Sequence, residues 1–286
     1  YLFGFMVLSR FQKISWFQLF KYIIYLLLAV NVYLFFNEEF SATTFRFEHG
    51  VSLSEIIVAY SATIDTATWV VLLIIFEFET YVIPDENLKG KLMWFLNGMS
   101  ILCYIIIVYS FYAYIQKYLW TLDFQLLPDI NSICNFKGQS WLLELDFFEE
   151  ITNDNCATLS SATEFYGIPE QHIITDQASL QLTKNLALND VLNAAAWLLV
   201  VLVLEVDVWM QTYSILKNKI YKLNYALKII AYSALLLAAI YWGYTGKGLD
   251  FWDAFLWIVA FLFIEMNLFK WQHEKVEELE KLSNTE

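Results

Sequence analysis

Six apolar windows of about twenty residues dominate the pattern of hydrophobic and polar positions along the chain. A helix of that length crosses the hydrocarbon core of a bilayer, and a backbone in lipid must satisfy its own hydrogen bonds. Pro84, Pro128 and Pro169 all lie away from the middle of these windows. We therefore predict an all-α integral membrane protein with six transmembrane helices, at roughly 20–36, 56–80, 92–114, 191–211, 225–244 and 252–270.

Polar segments between and beside the windows divide the chain into five parts. Residues 1–19 are predicted to form an N-terminal interfacial segment, and 271–286 a cytoplasmic helical tail. Transmembrane helices 1–3 occupy 20–116, and helices 4–6 occupy 190–270. The intervening segment, 117–189, is too long for a plain connection and predicts a small extracytoplasmic subdomain.

The predicted subdomain carries two of the three cysteines, Cys134 and Cys156, whereas Cys103 lies in helix 3. Two cysteines on an oxidising face favour a disulfide, although a pair of free thiols is the alternative. The stretch SWLLELDFFEEI at 140–151 predicts an amphipathic helix, with Ser140 as its N-cap. The subdomain is thus expected to be disulfide-closed and helical.

The distribution of basic residues indicates the orientation in the membrane. Basic residues precede the odd-numbered helices or follow the last helix. The connections that follow the odd-numbered helices, on the other side of the membrane, are acidic. Cytoplasmic connections carry an excess of lysine and arginine, so both termini are predicted to be cytoplasmic and 117–189 outside. The chain has no N-x-[ST] sequon, the acceptor for N-glycosylation in the secretory pathway. We therefore expect a plasma membrane location, with a bacterial inner membrane favoured. The basic residues with this distribution are Arg10, Lys13, Lys21, Lys89, Lys91, Lys217, Lys219, Lys222, Lys270, Lys275 and Lys281.

Composition narrows the classes of function. The chain is 59% hydrophobic and 16% charged, against about 45–50% and about 25% in soluble domains. Its net charge of −13 leaves no basic patch for nucleic acid. His49, His172 and His273 fall outside the windows, so no helix-borne histidine pair can ligate haem. We expect membrane lipids as partners, no cofactor and no enzymatic activity.

A repeated pattern, [DN]-x3-W-x7-E-x-[EDN], occurs on helices 2, 4 and 6. Similar tyrosine positions on the odd helices suggest that the chain consists of three tandem helical hairpins, with the subdomain inserted between helices 3 and 4. The aligned tryptophans are Trp69, Trp197 and Trp257. Four residues before them lie Asp65, Asn193 and Asp253, and eight or ten residues after them lie Glu77, Glu79, Glu205, Asp207, Glu265 and Asn267.

Carboxylates inside a membrane indicate a function, because burying a charge in lipid is costly. The leading hypothesis is a channel or transporter for protons or for monovalent or divalent cations. The six later residues of the repeat would line its ion pathway, and Asp65, Asn193 and Asp253 would form an outer polar ring. Residues two apart point to nearly opposite faces of a helix, so Glu77 and Glu79 cannot both face one pore.

The alternative is a non-catalytic subunit or scaffold of a larger membrane complex. Each odd-numbered helix carries a lysine at about the same depth in the membrane as the acids of the even-numbered helices. These lysines are Lys21, Lys91 and Lys228. Each acid could therefore pair with a lysine of a neighbouring helix and lock the hairpins together. The remaining acids could dock a partner membrane subunit or a second copy of the chain.

Overall fold

The computed structural model of the protein describes residues 16–47, 50–83, 88–128, 132–168, 171–212 and 218–262. Long helices form most of this part of the chain. They are α1 (Trp16–Arg46), the one-turn α2 (Ile56–Ala59), α3 (Ser61–Glu77), α4 (Lys91–Trp120), α5 (Gln177–Thr212), α6 (Asn218–Thr245) and α7 (248–262). A π-helical segment, Phe78–Val82, continues α3.

Five of the described helices are long and apolar enough to cross a membrane by length and composition. The qualifying stretches are Gln18–Arg46, Ser61–Thr80, Lys91–Trp120, Gln177–Asp207 and Ile220–Thr245. Helix α7 is described only as far as residue 262. The count of six spans therefore stays a prediction, and the segments 1–15 and 271–286 lie outside the described residues.

Large apolar side chains lie exposed along the outer faces of the long helices. In a soluble protein such continuous apolar surface would be unfavourable, whereas in a bilayer it contacts lipid chains. These faces are consistent with a location in a membrane. Examples are Ile101, Leu102, Ile105 and Val108 on α4, and Leu236, Leu237 and Ile240 on α6.

A five-stranded sheet stands between α4 and α5, so the expectation of an all-α protein is wrong in this segment. Its order is β1-β4-β5-β2-β3, and β2 pairs with β5 in parallel while the other pairs are antiparallel. The strands are β1 (Gln125–Leu127), β2 (Ser140–Glu144), β3 (Phe147–Glu150), β4 (Phe165–Ile168) and β5 (Ile173–Asp176).

The predicted amphipathic helix at 140–151 is wrong, because this stretch forms the β2–β3 hairpin. Trp141 and Leu142 point to opposite faces of the sheet and are both fully buried. Trp141 packs with the disulfide loop, and Leu142 packs with residues at the ends of the helices. A strand covered on both faces loses the alternation that identifies a strand in sequence.

The predicted disulfide between Cys134 and Cys156 is confirmed, and Cys103 is free and buried in α4. Two helices also extend beyond their predicted windows towards the sheet. Helix α1 continues to Arg46, and α5 already begins at Gln177, where the Asp176 carboxylate accepts a hydrogen bond from the Ser179 N–H at 2.8 Å. Such an N-cap stabilises the first turn of a helix.

Candidate functional site

The three tryptophans of the sequence repeat meet in the interior of the helix bundle. The ring centroids of Trp69 and Trp197 lie 5.8 Å apart, and each lies 6.2 Å from that of Trp257. Tilted and edge-on packing at these distances is favourable for aromatic rings. We call this group the tryptophan cluster. It joins α3, α5 and α7 at one level.

On the sheet side of the tryptophan cluster lies a cavity of about 60 Å³, which we call the aspartate cavity. Asp65, Asn193 and Asp253, the three residues of the predicted polar ring, all line it. Each precedes its tryptophan by four residues, and residues four apart share a face of a helix. The face that carries the tryptophan therefore brings the carboxylate or amide to the same centre.

Asp190 and Asp250 also line the aspartate cavity, although neither is among the predicted site residues. They precede Asn193 and Asp253 by three residues, again on the same helix face. Ala62 holds the equivalent position before Asp65 and also lines the cavity. Extending the repeat by three residues towards the N-terminus would have revealed both acids.

The four carboxylates of the aspartate cavity differ in their cationic neighbours: Asp190 and Asp250 also line a smaller adjoining pocket that contains Lys117 and Lys247, whereas no basic residue lines the aspartate cavity itself beside Asp65 and Asp253. Asn31 donates a 2.7 Å hydrogen bond to Oδ1 of Asp253, and the Tyr114 hydroxyl lies 3.4 Å from Oδ2 of Asp65. All the lining residues described are neutral or acidic. Because no basic residue lines the cavity beside them, Asp65 and Asp253 need a proton, water or a mobile cation to offset their burial. Among the described residues, no group of three or more His, Cys, Asp or Glu side chains could hold a metal ion.

The turn of the β2–β3 hairpin inserts into the bundle above the aspartate cavity. Asp146 in this turn has a φ of 63° and forms an ion pair with Lys117 of α4. The carbonyl of Leu145 accepts a hydrogen bond from Nζ of Lys247 at 3.0 Å. A smaller pocket of about 20 Å³, which shares Asp190 and Asp250 with the aspartate cavity, lies beneath the turn. The sheet thus closes this end of the bundle.

Neighbours of opposite charge hold two groups at the hairpin turn, Asp146 and Lys247, in their charged forms. Burial alone would raise the pKa of Asp146, but Lys117 and Arg46 outweigh it and lower that pKa below its ordinary value. Burial would lower the pKa of Lys247, but Glu38 and the other acids around it raise it above the ordinary value. Both groups therefore remain charged at neutral pH.

Glu39 of α1 connects the charged turn to the start of α3. Its carboxylate accepts hydrogen bonds from the backbone N–H groups of Ala62, at 2.9 Å, and Thr63, at 3.0 Å. These donors belong to the first turn of α3, where helix N–H groups lack partners within the helix. Lys117 lies 3.9 Å from the same carboxylate. Glu39 lies beyond the predicted helix window 20–36, so the sequence alone does not predict that it reaches the start of α3.

A second cavity, of about 260 Å³, lies on the opposite side of the tryptophan cluster. Glu79 and Glu205 line it, together with Ser100 and Tyr104 of α4. We call it the glutamate cavity. Asp65 and Glu79 are fourteen residues apart on one helix, which corresponds to about 20 Å along the axis. The two cavities share Trp69, Trp197 and Trp257 as lining residues.

The other two described acids of the predicted ion pathway are paired with lysines. Oε1 of Glu77 lies 2.5 Å from Nζ of Lys21, and both side chains are buried. Asp207 forms an ion pair with Lys228 and accepts a 2.5 Å hydrogen bond from Asn224. Glu77 and Asp207 line neither of the two cavities. These contacts match the structural alternative, in which acids lock neighbouring helices.

The repeat is therefore not symmetric below the tryptophan cluster. Glu79 enters the glutamate cavity from the π-helical segment that follows α3. On α5 the acid that enters it is Glu205, which stands two residues earlier in the repeat. The π-helical geometry that begins at Phe78 changes the direction of the side chains after Glu77, including Glu79. Lys91 is exposed at the start of α4, and no ion pair joins it to any residue that the structure describes. Glu265 and Asn267 lie outside the described residues.

Comparisons of the chain with models of protein families, with curated proteins and with solved structures find no match.

Proposed function

We propose that the protein is a multi-pass membrane protein that carries protons or small monovalent cations through its helix bundle. The pathway would run from the aspartate cavity, past the tryptophan cluster, to the glutamate cavity. The observation that carries this proposal is that the same three indole rings line both cavities. Two acidic compartments in series, separated by one aromatic constriction, suit a route for positive charge.

The composition of the cavities supports a cation rather than an anion. Four aspartates line the first cavity and two glutamates line the second, and neither lining contains a basic side chain among the residues described. An anion in either cavity would be repelled, whereas a proton or cation would offset the burial of Asp65 and Asp253, beside which no basic residue lines the cavity. A proton or a monovalent cation is favoured over a divalent metal ion, because the described residues offer no metal-binding group.

The tryptophan cluster supports a gated route rather than an open pore. Indole faces attract cations through their quadrupole, but closely packed rings exclude bulk water. A change of side-chain rotamer at one ring would connect the two cavities. The protein would then pass charge without a large motion of its helices.

Orientation is part of the proposal, with the sheet and the aspartate cavity outside the cell. The Cys134–Cys156 disulfide supports this, because disulfides persist in oxidising compartments. The lysines at the opposite ends of the helices support it through their usual cytoplasmic location. An acidic outer surface would also raise the local concentration of cations.

The experiment that tests the proposal is flux into liposomes that contain the purified full-length protein. An imposed proton gradient would be read with an internal pH dye, and an imposed potassium gradient with a potassium dye. We expect the double variant Asp65→Asn with Asp253→Asn to lower the flux of the transported ion at least about tenfold, because it removes two charges without changing shape. The matched control is Asp154→Asn, an exposed residue of the sheet subdomain.

Two results would overturn the proposal. One is wild-type protein that moves neither protons nor potassium faster than protein-free liposomes. The other is a double variant that folds normally and moves the ion at the wild-type rate.

A second candidate function is a structural subunit of a larger membrane assembly. It is favoured by the Lys21–Glu77 and Lys228–Asp207 pairs, which join neighbouring helices and carry no implication of transport. Absence of flux in the liposome assay, together with a membrane partner that co-purifies in constant ratio, would support this function instead.

A further inference from the structure

The glutamate cavity differs in chemistry from the aspartate cavity. Its lining is mostly apolar and aromatic, and Phe76, Tyr104 and Phe261 supplement the tryptophan cluster there. Glu79 and Glu205 supply the only charges among the lining residues described. The result is an aromatic compartment of about 260 Å³ with negative charge at one end.

We propose that the glutamate cavity is a binding site for an organic monocation that carries apolar substituents, such as an aryl- or alkylammonium ion. This goes beyond the proposed ion pathway and does not depend on it. The site requires only the cavity and its two carboxylates. Transport through the tryptophan cluster is a separate property.

Charge complementarity selects a cation. Glu205 is exposed at the edge of the cavity, and Glu79 is half-buried. Tyr104 of α4 lines the same cavity as both carboxylates. The three side chains therefore face a common space, where a positive charge would gain attraction from two acids. A basic residue that would compete for these acids is not found among the lining residues described.

The aromatic walls favour stable binding of an organic cation over that of a small inorganic one. A sodium or potassium ion that passes through keeps much of its hydration shell, because the apolar walls offer it few oxygen ligands besides the two carboxylates. A quaternary ammonium is weakly hydrated, and indole and phenol faces attract it through cation–π interactions. Its apolar substituents would fill the space between Leu72, Val200 and Leu204, which also line the cavity.

Size and access also fit this class of ligand. A cavity of 260 Å³ corresponds to the volume of roughly nine water molecules at about 30 Å³ each. A trimethylammonium group with one aromatic ring is of that order. The exposed position of Glu205 places the entrance at the edge of the bundle, where such amphiphilic cations concentrate from the membrane interface.

The test is isothermal titration calorimetry of the detergent-purified full-length protein with benzyltrimethylammonium. We expect saturable binding of about one ligand per chain. N,N-dimethylbenzamide, a neutral molecule of similar size with the same ring, should bind at least about tenfold more weakly, since it lacks the charge. Titration of ligand into detergent alone corrects for partitioning into micelles.

Variants locate the site. Glu79→Gln and Glu205→Gln should each weaken benzyltrimethylammonium binding about tenfold, through loss of one attractive charge. Because Glu205 is exposed, its substitution leaves packing intact. Glu164→Gln, at an exposed position in the sheet subdomain, is the matched control and should bind as the wild type does.

Three outcomes would overturn the inference. They are the absence of saturable binding by the wild type, equal affinity for the neutral molecule, and unchanged affinity in both glutamine variants. Equal affinity for the neutral molecule would assign the cavity to apolar chains such as those of lipids. Wild-type protein that binds the cation but moves no ions in liposomes would contradict only the proposed ion pathway.

Discussion

Nζ of Lys21 lies 2.5 Å from Oε1 of Glu77, in a pair of side chains from α1 and α3 that are only 2% and 6% exposed. The hydroxyl of Tyr22 lies 3.4 Å from the same oxygen. Glu77 is thus part of a buried contact between two neighbouring helices. Its neighbour Glu79 instead lines the glutamate cavity. Two acids separated by one residue therefore have different structural roles.

The first prediction concerns this buried pair. Lys21→Met and Glu77→Gln should each destabilise the protein by about 3 kcal/mol or more, because each leaves one charge buried without its partner. The double variant Lys21→Met with Glu77→Leu should recover most of the loss, since no buried charge remains. Thermal melts in detergent would measure both effects.

The matched control is the partly exposed pair of Lys228 and Asp207, whose side chains are each 24% exposed. Lys228→Met should cost much less than Lys21→Met, because the remaining Asp207 is partly exposed at the end of its membrane-length stretch, where water can screen its charge. A double variant at 21 and 77 no more stable than the worse single variant would contradict the assignment of this pair as a helix-to-helix contact.

The second prediction concerns the disulfide of the sheet subdomain. Replacing Cys134 and Cys156 by serine should lower the stability of the subdomain by about 3 kcal/mol, because the bond closes a separation of 22 residues and restricts the unfolded chain. The control is Cys103→Ser, which replaces a free cysteine and leaves the disulfide in place. Limited proteolysis between β3 and β4 would measure the effect, and equal cleavage rates with and without the bond would contradict it.

The third prediction is a pH dependence that originates at Asp146. Its pKa is lower in the folded protein than in the unfolded chain, where it is about 3.9. The carboxylate therefore contributes stability above about pH 4, and this contribution is lost as the pH falls through the folded pKa. Asp146→Asn should destabilise the protein at pH 7 by at least about 1.5 kcal/mol.

The difference in melting temperature between wild type and Asp146→Asn should shrink when the pH is lowered from 7 to 3. Asp154→Asn, at an exposed position of the same subdomain, should show no such difference at either pH. A gap between wild type and Asp146→Asn that stays constant from pH 7 to pH 3 would show that the Asp146–Lys117 ion pair is not its source.

The sequence repeat predicted the shared position of Asp65, Asn193 and Asp253 for a geometrical reason. Each stands four residues before its tryptophan, so one helix face carries both side chains towards the centre of the bundle. Spacing by four keeps this relationship wherever the backbone is α-helical. The convergence of the three tryptophans has the same origin.

The same reasoning could not place the glutamates. Each residue turns an α-helix by about 100°. The side chain eight residues after Trp69 therefore points about 80° to one side of the direction of Trp69, and the side chain ten residues after it points about 80° to the other side. Glu77 and Glu79 therefore lie on either side of the tryptophan face at similar angles. Packing against α1, which supplies Lys21, and the π-helical segment after Glu77 decide which acid enters the cavity.

The sheet was missed because its strands are short and partly covered on both faces. The two-residue turn at Leu145–Asp146 is the one local signal, since aspartate accepts the left-handed backbone that Asp146 adopts. The runs on either side, SWLLE and FFEE, lack a regular alternation of buried and exposed positions. Without the other three strands, whose pairings are distant in sequence, an amphipathic helix was equally compatible with the pattern.

The central claim is that the tryptophan cluster separates two cavities on one cation route, and flux through the variant Trp197→Ala tests it most directly. Removing one indole should join the cavities and raise passive flux of the transported ion in liposomes at least about tenfold, whereas Trp197→Phe should keep it near the wild-type rate. The control is Trp252→Ala, an exposed tryptophan on α7. The account predicts a leak in Trp197→Ala that disappears when Asp65→Asn and Asp253→Asn are added. Flux in folded Trp197→Ala equal to that of the wild type and of Trp252→Ala would contradict it.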